Sequence, residues 1–300
     1  MQLKKRNAIN EGLGYNSVQV LIYLFVGVFA VSTILPFLYV VAGSLATERQ
    51  LTEQPFFLIP KDISLNAYRY ILETGEVFKG LKNSVLVTLL GTLIAMFCTC
   101  TFAYPLSRGD FRGRNVLLNL VIITMVFSGG MIPTYLVVQK LGLTNSFGSL
   151  VLPGALNAFN MVILKNFFQG IPKELEEAAT LDGYNDLGIF IRIILPLSLP
   201  AIASISLFYA VGFWNDYFNA MLYISDPAKE VVQVVLRKIV LLAGSINAEG
   251  IDMDYGLFGA PPEKAVKMAT TVVATVPILI VYPFVQRFFT KGVMVGAVKG

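Results

Sequence analysis

The chain has 300 residues, of which 55% are hydrophobic and only 14% are charged. A soluble domain does not need so apolar a composition, so the expected solvent is the bilayer and the expected class is an all-α membrane protein. The formal net charge of +4 does not indicate nucleic-acid binding, because the basic residues gather at the ends of apolar segments instead of forming one stripe.

The N-terminal 17 residues include Lys4, Lys5 and Arg6, and a long apolar run over residues 18–45 follows them. The apolar core of a secretory signal spans about 7 to 15 residues. This run is longer, so we interpret it as a retained membrane anchor. Residues 1–17 are predicted to be a cytoplasmic N-terminus. Residues 18–300 are predicted to form a single transmembrane domain, because no repeat or linker marks a second one.

Six stretches are long and apolar enough to cross a bilayer, which takes about 20 residues. They are residues 18–45, 83–107, 115–139, 147–168, 193–222 and 268–289. Six spans put both termini on one side. Basic residues concentrate at the two ends and after the second span, where Arg108, Arg112 and Arg114 lie. The excess of Lys and Arg predicts that both termini are cytoplasmic and that the long loops 46–82 and 223–267 are external.

The second and third spans carry special residues. Cys98 and Cys100 stand two positions apart, where helical side chains do not face each other, so neither a disulfide nor a metal pair is expected. Gly129 and Gly130, followed by Pro133, predict a kink or an unwound turn in the third span. Such a break is tolerated only inside protein or beside a water-filled path, so this helix is predicted to face the pore.

Residues 169–192 form an acidic loop on the side where basic residues are expected. Pro172 suits the first position of a helix, and the glutamates that follow suit the positive end of its dipole. Gly183 can end that helix in the left-handed conformation, and Asn185 or Asp186 can cap a second short helix. The sequence therefore predicts two short helices with a sharp bend.

Two interpretations of this loop are weighed. It can be a knob that fits a groove on a soluble partner, with Ala178 and Ala179 permitting close approach. It can also be an amphipathic helix that lies on the membrane, but such helices usually carry Lys and Arg on their polar face. The acidic composition favours docking.

The loop also resembles a known family. Glu177-Ala178-Ala179, then Gly183 after three residues, then Ile193-Ile194-Leu195-Pro196 after nine more, matches the EAA loop of ATP-binding-cassette (ABC) importer permeases. The resemblance implies the type I ABC importer permease fold. It also implies that the loop inserts into a cleft of a cytoplasmic ATPase subunit and couples ATP hydrolysis to transport. The coupling residues are then Glu177, Ala178, Ala179, Asp182, Gly183, Leu195 and Pro196.

Other segments resemble the maltose-type carbohydrate branch of that family. They are Ser128-Gly129-Gly130-Met131-Ile132-Pro133, Leu141-Gly142-Leu143 with Asn145, Trp214-Asn215-Asp216, Gln286-Arg287 and the ending Gly296-Ala297-Val298-Lys299-Gly300. The Phe-Ser-Gly-Gly stretch is similar to permeases for oligosaccharides and polysaccharide fragments. By this resemblance Gly296, Lys299 and Gly300, in the cytoplasmic tail 290–300, reach the ATPase; from the residues alone, a frayed basic terminus is favoured.

The resemblance further implies a set of partners and a location. These are a second permease subunit that completes a heterodimer, two copies of a cytoplasmic ATPase subunit that carry ATP and Mg, an external solute-binding protein, a carbohydrate substrate and the bacterial cell membrane. No cofactor is expected in this chain.

Several polar residues lie within the predicted spans. An acid inside a span costs about 2.5 to 3.5 kcal/mol on insertion scales, so Asp216, which shares a helix face with Asn219, is a candidate for the substrate path. Trp214 and Tyr217 can offer flat surfaces to a sugar, and Asn215, between Trp214 and Asp216, is a further candidate. Alternatively, this end of the fifth span lies in the outer aromatic belt.

Asn157 and Asn160 also share a face, in the fourth span. Interhelical hydrogen bonds of about 1 kcal/mol are enough to explain them, so packing is the default interpretation. We keep both residues as substrate-path candidates, together with Gly129 and Gly130.

The sequence contains no phosphate-binding loop and no hydrolase or metalloprotease motif, so the chain is expected not to hydrolyse ATP itself. The main alternative is an ion-coupled secondary transporter with Asp216 as its ion or proton site. Such transporters usually show a duplicated half with matching broken helices, which this sequence lacks. An intramembrane enzyme is a third class, but its catalytic constellation is missing.

Overall fold

The computed structural model describes residues 13–249 and 263–297, with side chains over residues 18–241 and 264–283. Residues 1–12, Lys299 and Gly300 lie outside the described part, and only the backbone of Gly296 lies within it. The described residues are mainly helical, with one isolated β-bridge between Ala46 and Ile63. The helices are α1 (Leu13–Ser44), α2 (Glu48–Glu53), α3 (Asn66–Thr74), α4 (Glu76–Ser107), α5 (Arg114–Val126), α6 (Met131–Lys140), α7 (Gly148–Val151), α8 (Ala158–Gln169), α9 (Lys173–Leu181), α10 (Asp186–Ile189), α11 (Leu195–Leu197), α12 (Leu199–Trp214), α13 (Tyr217–Tyr223), α14 (Val232–Glu249) and α15 (Glu263–Ala297), with a π-turn over Phe190–Ile194 and a 3-10 turn over Pro227–Lys229.

Three helical segments are long and apolar enough to cross a membrane: Val18–Ser44, Glu76–Ser107 and Lys264–Pro283. Two bent pairs raise the number to five within the described residues, if each pair counts as one span. The sequence predicts six. The fourth predicted span, residues 147–168, accounts for the difference.

That fourth stretch is not one helix. The short helix α7 ends at Val151, residues 152–157 are not helical, and α8 starts at Ala158. Pro153 and Gly154 lie in the interruption, where neither supports a helix. The 12 residues of α8 extend about 18 Å, which is short of the roughly 30 Å of a hydrocarbon core. Mean hydropathy over a window does not register this break.

The predicted break in the third span is confirmed. Helices α5 and α6 meet at 117°, and Gly130 has a φ of 84°. The fifth predicted span, residues 193–222, is also broken, although the sequence predicts one helix there. It bends by 80° between Asp186–Leu197 and Leu199–Trp214 and is interrupted again at Asn215 and Asp216, before α13.

The two predicted external loops contain helices. Residues 46–82 include α2, α3 and the start of α4, which begins at Glu76, seven residues before the predicted position. Residues 223–267 include α14, whose Val232, Val234 and Val235 are buried. Residues 250–262 of the latter loop lie outside the described part.

The contacts divide the chain into two compact units, the first of which comprises residues 1–70 and 252–272. In its described part the Ser44 Oγ lies 2.8 Å from the Tyr68 hydroxyl, and the Ser64 amide donates to the Leu45 carbonyl at 2.8 Å. These bonds fasten the segment after α1 to the start of α3.

The second unit comprises residues 71–251 and 273–300, and α4 is its central helix, with α8, α12 and α14 packed around it. Small residues on α4 allow close approach, as is usual between membrane helices. A Cβ added at Gly91 would lie 2.8 Å from the Phe213 ring of α12, and one at Gly80 would lie 3.1 Å from Val232 of α14. Both glycines are therefore needed for space.

Candidate functional site

The acidic loop begins with α9 at Lys173, directly after Pro172. Pro172 is the capping residue, so the helix starts one residue later than the sequence predicts. Glu174 and Glu176 lie in the first turn, where the helix dipole favours negative charge.

The bend after α9 has the predicted geometry. Gly183 has a φ of 85°, the Gly183 amide donates to Thr180 O at 3.0 Å, and the Tyr184 amide donates to Ala179 O at 3.0 Å. These two bonds form a Schellman motif, which satisfies the last carbonyls of a helix. The Asn185 Oδ1 then accepts from the Gly188 amide at 2.8 Å and caps α10. The predicted pair of short helices with a sharp bend is confirmed.

The π-turn Phe190–Ile194 follows α10 and leads into Leu195 and Pro196. The Leu195 amide donates to the carbonyl of Phe190, five residues earlier. A proline ring clashes with the carbonyl four residues before it in a regular α-helix. The wider turn ahead of Pro196 gives this ring more room. Leu195 is half-buried and Pro196 is exposed.

The inner face of the loop belongs to the core of the second unit. Ala179 of α9 is buried in one cluster with Ile189, Phe190 and Ile194. Side chains of α4 and α8 complete this cluster, among them Leu106. The orientation of α9 is thus set by burial as well as by the turn.

The outer face is exposed and mixes apolar with acidic groups. Glu177, Ala178 and Asp182 are exposed, and so are Leu181 (89%) and Leu187 (63%). Exposed apolar side chains together with carboxylates are suited to a protein partner that presents basic groups.

Arg108 ties the loop to the end of α4. Its Nη1 binds the Glu176 carboxylate of α9, and its Nη2 lies 3.5 Å from Asp186 Oδ1 at the start of α10. The same Nη1 donates to the Tyr104 hydroxyl at 3.1 Å. Burial lowers the pKa of Arg108, but Tyr104, Glu176 and Asp186 outweigh it and leave the pKa above its ordinary value.

Sequence reasoning missed the role of Arg108 and used the residue only as an orientation signal. Glu176 is 68 positions away, so no local pattern joins the two residues. The available signal was an unbalanced acidic loop close to a basic one, on the same predicted side of the membrane.

A polar cavity of about 490 Å³ lies between α6, α7, α8, α12 and α13. Four of the predicted substrate-path residues line it: Asn157, Asn160, Asp216 and Asn219. The sequence predicts each pair on a shared face but does not predict that the two pairs meet. Tyr209, Phe213 and Tyr223 supply aromatic surface.

Asn157 precedes α8 and caps it, since its Oδ1 accepts from the Asn160 amide at 3.1 Å. The Asn157 amide donates to the Tyr209 hydroxyl at 2.9 Å. That hydroxyl also lies 2.7 Å from the buried Thr99 Oγ1 of α4. Tyr209 thereby joins α4, α8 and α12, and sequence reasoning missed it because it reads as one more aromatic residue in an apolar run.

Asp216 caps α13. Its Oδ1 accepts from the Asn219 amide at 3.2 Å, and the Asn219 Nδ2 lies 3.0 Å from both carboxylate oxygens. The carboxylate lies at a helix junction and not in the middle of a helix, which lowers the cost of its charge.

The other predicted path residues do not line this cavity. Trp214 is 7% exposed, so its ring does not offer the free face that the sequence suggests. Asn215 is exposed at the end of α12. Gly129 and Gly130 are exposed in the break that sets the direction of α6.

The cavity combines amide, hydroxyl and carboxylate groups with aromatic faces. The described residues that line it include one acid, Asp216, and neither Lys nor Arg. Amides and a carboxylate can bind the hydroxyl groups of a polyol, and aromatic rings can pack against its C–H faces.

Long apolar helices with a polar cavity among them are features of a membrane transport subunit. The chain belongs to the family described as "Binding-protein-dependent transport system inner membrane component", which it matches over residues 9–295. Membership supports the permease subunit of an ABC importer over the ion-coupled transporter, and a transport subunit over an enzyme.

Two relatives from Bacillus subtilis (strain 168) are similar along nearly their whole length. The polygalacturonan/rhamnogalacturonan transport system permease protein YtcP is 54% identical, over 93% of this chain and 97% of the relative. Protein LplC is 51% identical, over 92% of this chain and 93% of that relative.

A solved structure is also similar. A chain of a bacterial ABC transporter involved in the import of the acidic polysaccharide alginate superposes with a TM-score of 0.82 at 31% identity, covering 93% of this chain and 98% of that chain. The chain therefore has the type I ABC importer permease fold.

Proposed function

We propose that the chain is one of two membrane-spanning subunits of an ATP-driven importer that moves a carbohydrate of the oligosaccharide class across the bacterial cell membrane. The names of YtcP and of the alginate transporter, both concerned with polysaccharides, support the substrate class. The observation that carries the proposal is the exposed two-helix loop, residues 169–192, because it gives a separate ATPase a surface on which to dock. We propose that its segment from Glu177 to Gly183 makes the coupling contact.

The proposed assembly contains a second permease subunit, two copies of a cytoplasmic ATPase subunit that bind ATP and Mg, and an external solute-binding protein. The family description supports the external solute-binding protein.

We further propose six spans with cytoplasmic termini, a single membrane domain over residues 18–300, and a tail whose Gly296, Lys299 and Gly300 contact the ATPase.

The coupling loop, residues 169–192, presents different groups for different tasks. Glu177, Ala178, Leu181 and Asp182 are exposed and form the surface that docks in the ATPase. Ala179 is buried and anchors α9. Gly183, Leu195 and Pro196 act through backbone geometry, since they shape the bend and the π-turn.

Docking is tested by enlarging the surface without touching the core. We expect Ala178→Arg to abolish co-purification of the ATPase and to reduce uptake at least 100-fold, because a long charged side chain separates the two surfaces. Ala178→Ser is the matched control and should retain both. If the Ala178→Arg complex assembles and transports normally, the ATPase does not dock here.

The topology is tested by cysteine labelling in a Cys98→Ala, Cys100→Ala background. In intact cells a membrane-impermeant thiol reagent should label Asp226→Cys and should leave Asp182→Cys unlabelled until the cells are permeabilised. The reverse pattern would overturn the proposed orientation.

We assign the polar cavity to the carbohydrate path. Asn160 is 7% exposed, and its side chain lines the cavity. Asn160→Leu keeps the approximate volume of the side chain and removes the amide. The half-saturating substrate concentration for uptake should therefore rise about tenfold. This is the effect expected from the loss of one or two hydrogen bonds that contribute about 1.4 kcal/mol together. Asn166→Leu, on the same helix but outside the cavity lining, should leave it unchanged. If the half-saturating substrate concentration is the same for both variants, Asn160 is not part of the carbohydrate path.

A further inference from the structure

One guanidinium holds both helices of the coupling loop. Arg108 is the residue that follows α4, and its side chain is 22% exposed. It binds Glu176 on α9 and approaches Asp186 at the start of α10, on the other side of the Gly183 bend. A change in the angle between the two short helices would therefore disturb the contact with Glu176 or the longer contact with Asp186, whose side chain is 85% exposed.

The surroundings make the contact between Arg108 and Glu176 stronger than an exposed ion pair. The Glu176 side chain is only 17% exposed. The Tyr104 ring lies 5.5 Å from the guanidinium carbon and stacks on Phe190 with ring centroids 4.7 Å apart. The Tyr104 hydroxyl also donates to the Asp186 carbonyl at 3.3 Å. A planar guanidinium can hold two carboxylates and a ring face at once, which the point charge of a lysine cannot.

Four of the five acids of the loop fall into two groups according to their contact with Arg108. Glu176 and Asp186 bind Arg108 within the chain. Glu177 and Asp182 are exposed and belong to the docking surface proposed above. The acidic excess of the loop thus serves an internal contact as well as an external partner.

Helix α4 also contacts two residues that line the polar cavity. The Phe213 ring packs beside Gly91, and the Thr99 hydroxyl is hydrogen-bonded to the Tyr209 hydroxyl. Both of these aromatic residues line the cavity. About 24 Å of continuous helix separate Gly91 from Ser107. A movement of the loop that reaches α4 can therefore reach the cavity.

We propose that Arg108 is a positioning residue that fastens the coupling loop to α4, so that movement of a docked ATPase displaces α4 and the polar cavity. This role rests on the proposed function. In this role Arg108 acts through Glu176 and Asp186.

The test compares docking with coupling in the complete importer. Arg108→Met keeps an apolar stem and removes the charge. We expect the ATPase to co-purify as in the wild type, uptake to fall at least tenfold, and the number of ATP molecules hydrolysed per substrate transported to rise by a similar factor. Arg108→Lys should recover uptake only in part.

Arg112→Met, in the exposed segment beyond α4, is the matched control and should behave as the wild type. If Arg108→Met does not accumulate, Glu176→Gln tests the same contact with nearly unchanged shape and should show the same uncoupling.

The outcomes separate the two claims. A wild-type complex without an ATPase overturns the proposed function, and the role of Arg108 with it. An active wild-type importer whose Arg108→Met variant keeps its uptake and its ATP ratio overturns the inference alone. Loss of the ATPase from Arg108→Met, with an unchanged ATP ratio in the remaining complexes, would show that Arg108 only shapes the docking surface, which also overturns the inference.

Discussion

The coupling loop and the polar cavity use glycine for opposite reasons. At Gly91, beside the cavity, an added Cβ would lie 2.8 Å from the Phe213 ring, whereas nothing lies within 4 Å of one added at Gly183, in the loop. Gly183 instead has a φ of 85°, which disfavours other residues. The cavity depends on space between helices, and the loop depends on backbone conformation.

The same contrast holds for polar side chains. Asn157 and Asp216 line the cavity and also cap helices, so changing either one disturbs structure and chemistry together. Ala178 and Leu181 on the loop are exposed and can change without loss of internal contacts. Stability and function are therefore separable at the outer face of the loop and coupled at the cavity.

The largest effect is expected at Gly91. Gly91→Leu forces α12 away from α4, and overpacking of this kind costs about 1 to 3 kcal/mol or more. The variant should yield little folded protein after detergent extraction, and size-exclusion chromatography measures that yield. The control is Gly27→Leu, because Gly27 has nothing within 4 Å of an added Cβ. An equal loss of folded protein in both variants would refute the importance of space at Gly91.

The second-largest effect is expected on removal of the Tyr209 hydroxyl. Tyr209→Phe leaves Thr99 Oγ1 and the Asn157 amide without their shared partner, and unmade buried hydrogen bonds cost about 1 to 3 kcal/mol. The melting temperature of the purified complex should fall by several degrees, and uptake should weaken with it. Ser204→Ala removes a hydroxyl of the same helix that bonds only its own turn and should be nearly silent. An unchanged melting temperature in Tyr209→Phe would mean that the three helices do not depend on this hydroxyl.

A smaller effect is expected at Gly183. A β-branched residue is strained at positive φ by about 1 to 3 kcal/mol, but the turn is exposed and the strain can relax locally. Gly183→Val should lower uptake about tenfold with a small change in melting temperature, since the bend and not the core is altered. Gly183→Asn, which tolerates the left-handed conformation, should retain most of the uptake. Equal uptake in the two variants would argue against a conformational role.

These residues also show which features of the structure can be predicted from the sequence. The turn at Gly183 and the Gly129-Gly130 break follow from local chemistry, and the sequence predicts both. It also predicts a cap at Asn185 or Asp186, and the structure shows that Asn185 is the cap. The contact between Arg108 and Glu176 depends on helix packing over a long separation, which local patterns do not encode. The placement of Asn157 and Asp216 around one cavity depends on it too. The interruptions at Pro153-Gly154 and at Ser198 lie inside apolar stretches, where mean hydropathy predicts one continuous helix.

The smallest effect on stability is expected at Leu181, where the contrast between the two regions is sharpest. Its side chain is 89% exposed, and surface substitutions away from special features usually change the free energy of unfolding by less than about 0.5 kcal/mol. Leu181→Ser should therefore leave the melting temperature unchanged. If Leu181 lies in the docking surface, the same variant should weaken the ATPase association several-fold, because burial of a leucine contributes about 1.5 to 3 kcal/mol. Leu197→Ser, which is also exposed but follows the π-turn, is the matched control. Weakened association in Leu181→Ser alone would confine the docking surface to α9, and equal weakening in both would extend it past Pro196.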